Sequence, residues 1–488
     1  MIDVISARKR ILEIAIHGNL VPNMNDESSQ ESVSNNIETR AKLIKQKLTK
    51  EPKVKPMITE GTFDIPNSWI WVSLGDLCIL LSRGKSPKYS DNEKYPVFAQ
   101  KCNQPNGLAL EKALFLDETT LEKWPEYFRL RDKDIVINST GTGTVGRVGF
   151  YVSEALSSKY PFIVPDSHVT VVRVGENIMP EYVFYALRST SIQKIMFNQF
   201  RGSTNQKEFY IDSVYSIPIP LPPLAEQKRI VERVEEIFRL LDTIDKAQEK
   251  YSADSQILKA KLITAGIQGK LTKQLESDGT AHELYQQIQA EKQKLIKEGK
   301  LKKEKPLPPV SPEEVPFEIP ENWMWVRLSS ISDVRDGTHD SPKYHSEGIP
   351  LITSKNLSSG KLDFENVKLI SYEDAKKINE RSYVENGDIL FAMIGTIGNP
   401  VIVDTDKEFC IKNVALFKRY KGSELNMNYL YYFLLMEQYE MQKITLGGLQ
   451  PFVSLKLFRS HLVPLPPLAE QKRSADVLER VLGEIDNK

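Results

Sequence analysis

The chain is short of several things, and each shortage closes off a class of function. Its three cysteines, Cys78, Cys102 and Cys410, are an odd number without a CxxC pair, which argues against a disulfide framework or zinc site and fits reduced thiols. Six scattered histidines include no HExxH, so no metal centre is expected. No apolar run approaches the roughly 18 residues of a membrane span. The N-terminal stretch is broken by Arg8, Lys9 and Arg10, unlike a signal peptide, so the protein is expected in the cytoplasm and away from membranes. Neither sign of charge is in excess, with 65 basic and 65 acidic residues, so any basic surface must be local. A GxxxxGK(S/T) loop, a (D/N/S)PP(Y/F/W) tetrapeptide and a paired carboxylate with lysine are all missing. A P-loop motor, an amino-methyltransferase and a nuclease are thereby disfavoured. The remaining profile, 40% hydrophobic and 27% charged, is that of a soluble globular chain of about two to four domains.

What is present is a duplication. Leu221-Pro-Pro-Leu-Ala-Glu-Gln-Lys-Arg229 recurs as Leu465-Pro-Pro-Leu-Ala-Glu-Gln-Lys-Arg473, 244 positions later (465 − 221). A period this long means two whole domains rather than a solenoid. A second anchor pairs Phe63-Asp-Ile-Pro-Asn-Ser-Trp69-Ile-Trp71-Val with Phe317-Glu-Ile-Pro-Glu-Asn-Trp323-Met-Trp325-Val. Two Trp at i and i+2 read as both indoles packed on one strand face. Ser86-Pro-Lys-Tyr89 matches Ser341-Pro-Lys-Tyr344, Tyr95–Phe98 matches Ile349–Ile352, and Asp134-Ile-Val-Ile137 matches Asp388-Ile-Leu-Phe391. Short β-type runs fill each copy, and helical signal appears only near the ends, at Glu181–Gln193 and Asn428–Met441.

After each Pro-Pro the period changes to seven. Ile230, Ile237, Ile244, Tyr251, Leu258 and Ala265 form one seam, with Val234, Leu241 and Leu262 between them and Gln248 and Ser255 as polar interruptions. The second copy begins alike, with Leu478, Val481 and Ile485 in register. Ile11–Leu20 resembles Leu262–Leu271, which closes the central helix, so the C-terminal helix followed by the N-terminal one rebuilds most of another copy. The duplication is circular. The expected fold is α+β, with two similar mainly β domains separated by two long antiparallel helices in a coiled coil with circular pseudo-twofold symmetry. A helix from Pro223 to Ala265 would span ~64 Å. The expected layout is an N-terminal helix (1–20), a charged linker (21–62), a β-rich domain (63–221), the central helix (222–268), a second charged linker (269–316), a second β-rich domain (317–465) and a C-terminal helix (466–488). The stretches near 24–61 and 272–316 read as a solvated helix plus linker, or as a mobile arm for phosphate or subunit docking.

Gly141-Thr-Gly-Thr-Val-Gly146 satisfies GxGxxG and invites a dinucleotide-binding enzyme, but the matching turn, Gly395-Thr-Ile-Gly398, is shorter and runs into Asn399-Pro400, where no Rossmann helix starts comfortably. A strand-turn-strand carrying Thr142, Thr144, Arg147 and Thr396 fits better. The remaining polar loops mix basic, amide and aromatic side chains. Copy one offers Arg83, Lys85, Lys88, Tyr89, Gln100, Lys101, Asn103, Arg201, Gln206 and Lys207. Copy two offers Thr338, His339, Lys343, Tyr344, Ser354, Lys355, Asn356 and Gln450. Lys and Arg suit phosphate, while Arg, Asn and Gln suit base edges. Singly each loop reads as solvated; as matched sets they suggest a shared binding surface, with Lys101 and Lys355 at equivalent places. A rival reading is an adaptor with two β protein-interaction modules and no DNA.

The twin Leu-Pro-Pro-Leu-Ala-Glu-Gln boundaries, Phe317–Val326, Asp336-Gly-Thr-His339, Ile349-Pro-Leu-Ile-Thr-Ser-Lys-Asn356, Gly387-Asp-Ile-Leu-Phe391 with Gly395–Gly398, and Lys294-Leu-Ile-Lys-Glu-Gly299 together resemble the specificity (S) subunit of Type I restriction-modification systems over essentially the whole chain. Copy one departs from this pattern with Arg83-Gly-Lys85 and Gln100-Lys-Cys102. The resemblance implies two target recognition domains, each reading half of a bipartite asymmetric site in double-stranded DNA, with the coiled coil setting the spacer. It also implies two methyltransferase (modification) subunits that bind S-adenosylmethionine and methylate adenine at N6, and restriction/translocase subunits using ATP and Mg. This chain itself would hold no cofactor or metal and catalyse nothing.

Overall fold

The structure, a computed structural model, describes every residue except 24–29, 47–61, 154–158, 203–206, 445–451 and 487–488. The chain divides into two units, Met1–Glu249 and Lys250–Lys488.

Unit 1 opens with helix α1 (Val4–Ile16), which begins where the Asp3 carboxylate accepts from the Ser6 amide at 3.0 Å and ends at Gly18, whose φ of +73° suits glycine. Helix α2 (Gln30–Lys45) is followed by β1 (Ile70–Ser73), the single-turn α3 (Leu74–Leu77), β2 (Cys78–Arg83), β3 (Tyr89–Ser90), β4 (Pro96–Phe98), β5 (Asn103–Gln104), β6 (Gly107–Leu108) and β7 (Leu114–Leu116). Next come β8 (Ile135–Asn138), β9 (Val148–Phe150), β10 (Val164–Pro165), β11 (Val169–Val174), helices α4 (Pro180–Arg188), α5 (Thr190–Asn198) and α6 (Ile211–Tyr215), β12 (Pro218–Leu221) and the long helix α7 (Leu224–Ile267). Strands order as β2-β11-β8-β9 in one sheet and β10-β4-β7-β3 in another, with β1 paired to β12. Strands β8 and β11 are buried throughout, so neither alternates with solvent; β8 opens with the apolar run Ile135-Val-Ile137, while β11 also buries Thr170 and Arg173.

Unit 2 repeats most of this order. It holds the end of α7, then α8 (Ala281–Lys297), β13 (Met324–Arg327), α9 (Leu328–Ile331), β14 (Ser332–Asp336), β15 (Ile349–Ile352), β16 (Lys368–Ile370), α10 (Tyr372–Ser382), β17 (Ile389–Ala392), β18 (Gly398–Ile402), β19 (Cys410–Ile411), β20 (Val414–Arg419), α11 (Met427–Ile444), α12 (Leu455–Ser460), β21 (Leu462–Leu465) and α13 (Leu468–Asp486). The sheets are β14-β20-β17-β18 and β16-β15-β19, and β13 pairs with β21 as β1 does with β12. The two units are thus α+β bodies sharing the four-stranded sheet, the end-strand pair and the core of the second sheet, to which unit 1 adds β3 and the β5-β6 pair and unit 2 adds α10. Both glycine turns, 141–146 and 395–398, join antiparallel strands, β8 to β9 and β17 to β18, as the strand-turn-strand reading requires.

Each unit contains an antiparallel helix pair. In unit 1, α1 lies along the first part of α7, with Arg8 Nη2 on Asp242 Oδ1 at 2.6 Å and Gln248 Nε2 on the Ile2 carbonyl at 3.1 Å. In unit 2, α13 lies along the last part, through Lys259 to Asp486 and through Leu478, whose Cδ1 would be 2.8 Å from a Cβ at Gly266. The matched helix ends behave alike: Gly269 has the same φ of +73° as Gly18, and a Cβ at either would strike a proline, Pro320 or Pro66.

The repeated nine-residue phrase is a clamp between helix and β body. In unit 1, Gln227 donates to the Pro222 carbonyl at 2.9 Å and accepts from the Met179 amide at 2.9 Å; in unit 2, Gln471 does the same with Pro466 (2.9 Å) and Asn426 (3.0 Å). Tyr182 and Tyr429 donate to the carbonyls of Pro220 and Pro464, and burial pushes both phenols well above their ordinary range, keeping the hydroxyl protons in place. Glu470, fully buried, accepts from Trp323 Nε1 (2.8 Å), Thr272 Oγ1 (3.0 Å) and Gln274 Nε2 (2.8 Å), so one carboxylate joins the start of α13, the segment after α7 and the entry to β13.

Several expectations are corrected. The seam along α7 drifts: Ile230, Val234 and Leu241 are buried as expected, but Tyr251 and Leu258 are exposed, and the buried positions near the end are Ile263, Gly266 and Ile267 rather than Leu262 and Ala265. Tyr251 and Leu258 lie in the stretch between Gln248, where the pairing with α1 ends, and Lys259, where the pairing with α13 begins, and nearly every position there is exposed. The later shift follows because a straight helix slips ~20° per heptad against a 3.5-residue repeat, so five heptads accumulate ~100°, one residue. Of each Trp pair only Trp69 and Trp323 enter the core; Trp71 and Trp325 lie half-exposed, edge-on to Phe63 and Phe317 at 4.8 Å. The first Trp precedes the strand, so two-residue alternation does not apply to it. Helix α10 was not expected, because its packed face is only Ala375, Ile378 and Ser382, too few apolar positions to mark a helical period in the sequence.

The described parts of the two charged stretches dock on their own units. Arg40 of α2 donates to the Gly75 carbonyl (2.7 Å) and Tyr215 Oη (2.9 Å), while Gln289 and Lys292 of α8 donate to the carbonyls of Ser330 and Ser329, each at 2.6 Å. Burial lowers the Lys292 ammonium from its ordinary pKa, as expected for a lysine that leaves water for a carbonyl.

Candidate nucleic-acid interface

In unit 1 five chain segments converge at one end of the sheets. β2 delivers Arg83-Gly84-Lys85, and Gly84 is held against β10, where a Cβ would come 2.1 Å from the Pro165 carbonyl oxygen. That approach admits glycine alone. Lys85 pairs in parallel with Asp166, and its ammonium lies 5.6 Å from the Phe128 ring. Arg83 donates to Glu208 Oε1 (2.6 Å) and the Phe209 carbonyl (2.8 Å). β4 ends in a tight turn, Gln100–Cys102, whose Gln100 Oε1 accepts from Thr140 Oγ1 at 3.2 Å. Thr140 also meets His168 Nδ1 at 2.8 Å and bridges to Glu208, which ladders with Arg201. Thr144 donates to the Thr140 carbonyl at 3.3 Å, and Arg147 to the Asn103 carbonyl at 2.8 Å.

Arg147 is therefore held by Asn103, while Arg83, Lys85, Gln100, Thr144 and Arg201 are gathered by Thr140, Asp166, His168 and Glu208. None of these four organisers was singled out in the sequence; they sit in turns between β runs, and that was their only signal. Lys101 and Thr142 are exposed beside this network. Lys88 and Tyr89 lie at and beside β3, with Lys88 on Asp117 at 2.7 Å, and that hydrogen bond holds the Asp117 carboxyl far below its ordinary range. Lys207 stands over the Phe197 ring at 4.5 Å.

Unit 2 furnishes the equivalent end differently. Gly337 repeats the close approach, 2.2 Å from the Ile411 carbonyl oxygen to a would-be Cβ, and Thr338 pairs in parallel with Lys412 as Lys85 does with Asp166. His339 meets Asp336 Oδ2 at 3.0 Å and Asn413 Oδ1 at 2.9 Å. The Asn413 carbonyl accepts from the Met393 amide at 3.3 Å, which draws in the β17–β18 turn and its exposed Thr396. Ser354 and the exposed Lys355 occupy the turn after β15, where Gln100 and Lys101 follow β4. Lys343 and Tyr344 are exposed, Tyr344 with the Lys368 ammonium 5.8 Å from its ring. Arg381, Lys412 and Asn413 were missed.

Two candidates are corrected. Asn103 is fully buried and donates to Asn138 Oδ1 (3.1 Å) and the Arg147 carbonyl (3.0 Å); Asn356 is buried and donates to the Asp363 carbonyl (3.1 Å) while accepting from the Thr353 amide (3.0 Å). Their amides build the loops and present no edge outward. Gln206 and Gln450 lie outside the described residues. Among the described residues no group of three or more His, Cys, Asp or Glu could hold a metal, and no helix is long and apolar enough to cross a membrane.

One frame thus carries two polar surfaces with different side chains at matching positions, which defines a duplicated two-module protein. The chain belongs to the Type I restriction modification DNA specificity domain family, whose model matches residues 66–251 and 320–488. It is 28% identical to the Type I restriction enzyme EcoAI specificity subunit of Escherichia coli, covering 97% of this chain and 88% of that one. It is 23% identical to the MjaVIII specificity subunit of Methanocaldococcus jannaschii, covering 86% and 87%. The fold matches a chain solved in work on complex assembly and conformational transition of the type I R-M system, with TM-score 0.61 at 18% identity over 87% of this chain and 93% of that one. It also matches the crystal structure of the HsdS subunit from Thermoanaerobacter tengcongensis, with TM-score 0.50 at 18% identity over 88% and 92%.

Proposed function

We propose that the chain is the DNA-reading specificity subunit of a Type I restriction-modification complex in the cytoplasm, that each unit reads one half of a bipartite asymmetric site, and that it performs no catalysis. The observation that carries this reading is the contrast between an invariant clamp and variable ends. Gln227 and Gln471 make the same two bonds, whereas the places of Arg83 and Lys85 in the first copy are taken by Asp336 and Thr338 in the second. A frame kept constant under two different polar surfaces is what two unlike half-sites require. The unbroken helix α7, which belongs in part to both units, would set the unread spacer. Two methyltransferase subunits would bring S-adenosylmethionine and methylate adenine at N6, and restriction subunits would bring ATP and Mg.

The test is to assemble the chain with its methyltransferase subunits, expose the complex to a random duplex library and sequence the methylated products. The expected profile has two short specified segments with an unspecified gap. Methylation without sequence preference would instead favour an adaptor whose modules bind protein.

A further inference from the structure

The end of α10 carries an arginine that no sequence pattern announced. The Arg381 side chain is 60% exposed, yet its guanidinium is paired with Asp336, whose side chain is only 6% exposed. The other Asp336 oxygen faces His339 Nε2 at 3.0 Å, and His339 Nδ1 faces Asn413 Oδ1 at 2.9 Å. The backbone beneath is pinned as well: Arg335 Nη1 donates to the Arg381 carbonyl at 3.1 Å, and Cys410 Sγ of β19 donates to the Ala375 carbonyl of α10 at 3.6 Å. Arg381 is therefore an outward-facing fork held at both ends.

The partner carboxylate decides what such a fork prefers. An unpaired Arg or Lys attracts phosphate through net charge, but beside a buried carboxylate that charge is largely cancelled while the planar donor geometry remains. The remaining N–H groups then suit a neutral acceptor with two adjacent lone pairs, which in a DNA groove is the O6/N7 edge of guanine. We infer that Arg381 reads a guanine in the half-site of unit 2, with Asp336 and His339 as its positioning residues. This rests on the DNA-reading function proposed above.

The test uses the complex with its methyltransferase subunits and the same library, comparing wild type with Arg381→Ala, Arg381→Lys and Asp336→Asn at several salt concentrations. Arg381→Ala is expected to reduce preference at one G·C position by roughly 5- to 140-fold, which follows from ~1–3 kcal/mol per bidentate pair. The other half-site and the salt dependence stay unchanged. Arg381→Lys does not restore the preference, because lysine lacks the fork, and Asp336→Asn weakens it at the same position. The unit 1 half-site reports that each variant is folded and assembled. An even loss across all sequences with a shallower salt slope would make Arg381 a phosphate contact and overturn the inference, as would an unchanged profile. A wild-type complex without any sequence preference would remove the DNA-reading function itself.

Discussion

Glu470→Ala is expected to destabilise unit 2 by roughly 2–3 kcal/mol, read as a lowered urea midpoint with tryptophan fluorescence. The carboxylate is fully buried and satisfies three donors, Trp323 Nε1, Thr272 Oγ1 and Gln274 Nε2. Trp323 Nε1 is the buried donor left without an acceptor, at ~1–3 kcal/mol, whereas Thr272 keeps Ser474 Oγ and the exposed Gln274 keeps the Gly269 and Thr272 carbonyls, so each of these adds less. Glu470→Gln keeps the shape and one acceptor oxygen, so a loss of about 1–2 kcal/mol is expected. A change under about 1 kcal/mol for the alanine variant would show that the clamp does not hold the start of α13 against the β body. Glu226 occupies the same place in the first copy of the phrase and is equally buried.

The second large effect lies in unit 1. Asp134, just before β8, receives Arg173 of β11 through two bonds of 2.7 Å, and the same guanidinium donates to the carbonyls of Tyr127 (2.9 Å) and Arg129 (2.8 Å). The side chains are 0% and 10% exposed. Asp134→Ala leaves an uncompensated buried cation and is expected to cost ~3–5 kcal/mol. Adding Arg173→Met to Asp134→Ala should recover much of this, since replacing a buried pair by apolar groups is often near neutral. Additive losses in a double-mutant cycle by urea unfolding would contradict the coupling. Unit 2 places Lys418 on Asp388 in the same register, with Glu385 as a further partner, so the arrangement belongs to the fold rather than to one surface.

The duplication, the clamp phrase, the matched helix ends and the strand-turn-strand were all legible, because each is a local pattern stated twice. The phase of α7 was legible only over its first turns, since a heptad ruler and a 3.6-residue helix part company by one position between Ile230 and Ile263. Helix α10 and Arg381 were not legible, because they belong to one copy and no period marks them. Asn103 and Asn356 were misread for a related reason: an amide in a polar loop looks the same in sequence whether it faces outward or ties its own turn. Arg83, by contrast, stands where expected but with its guanidinium engaged by Glu208.

Helix α7 offers a direct way to separate reader from ruler. Within unit 1, α1 reaches Gln248, and within unit 2, α13 reaches Lys259, so four residues inserted between Lys250 and Gln256 disturb neither pair. One added turn lengthens the helix by ~6 Å, about two base pairs at ~3.4 Å each. Methylome sequencing of cells carrying this variant with its methyltransferase partner is expected to show both half-sites unchanged and the spacer longer by about one or two base pairs. Altered half-sites with an unchanged spacer would contradict two units reading separately on a helix that sets their spacing.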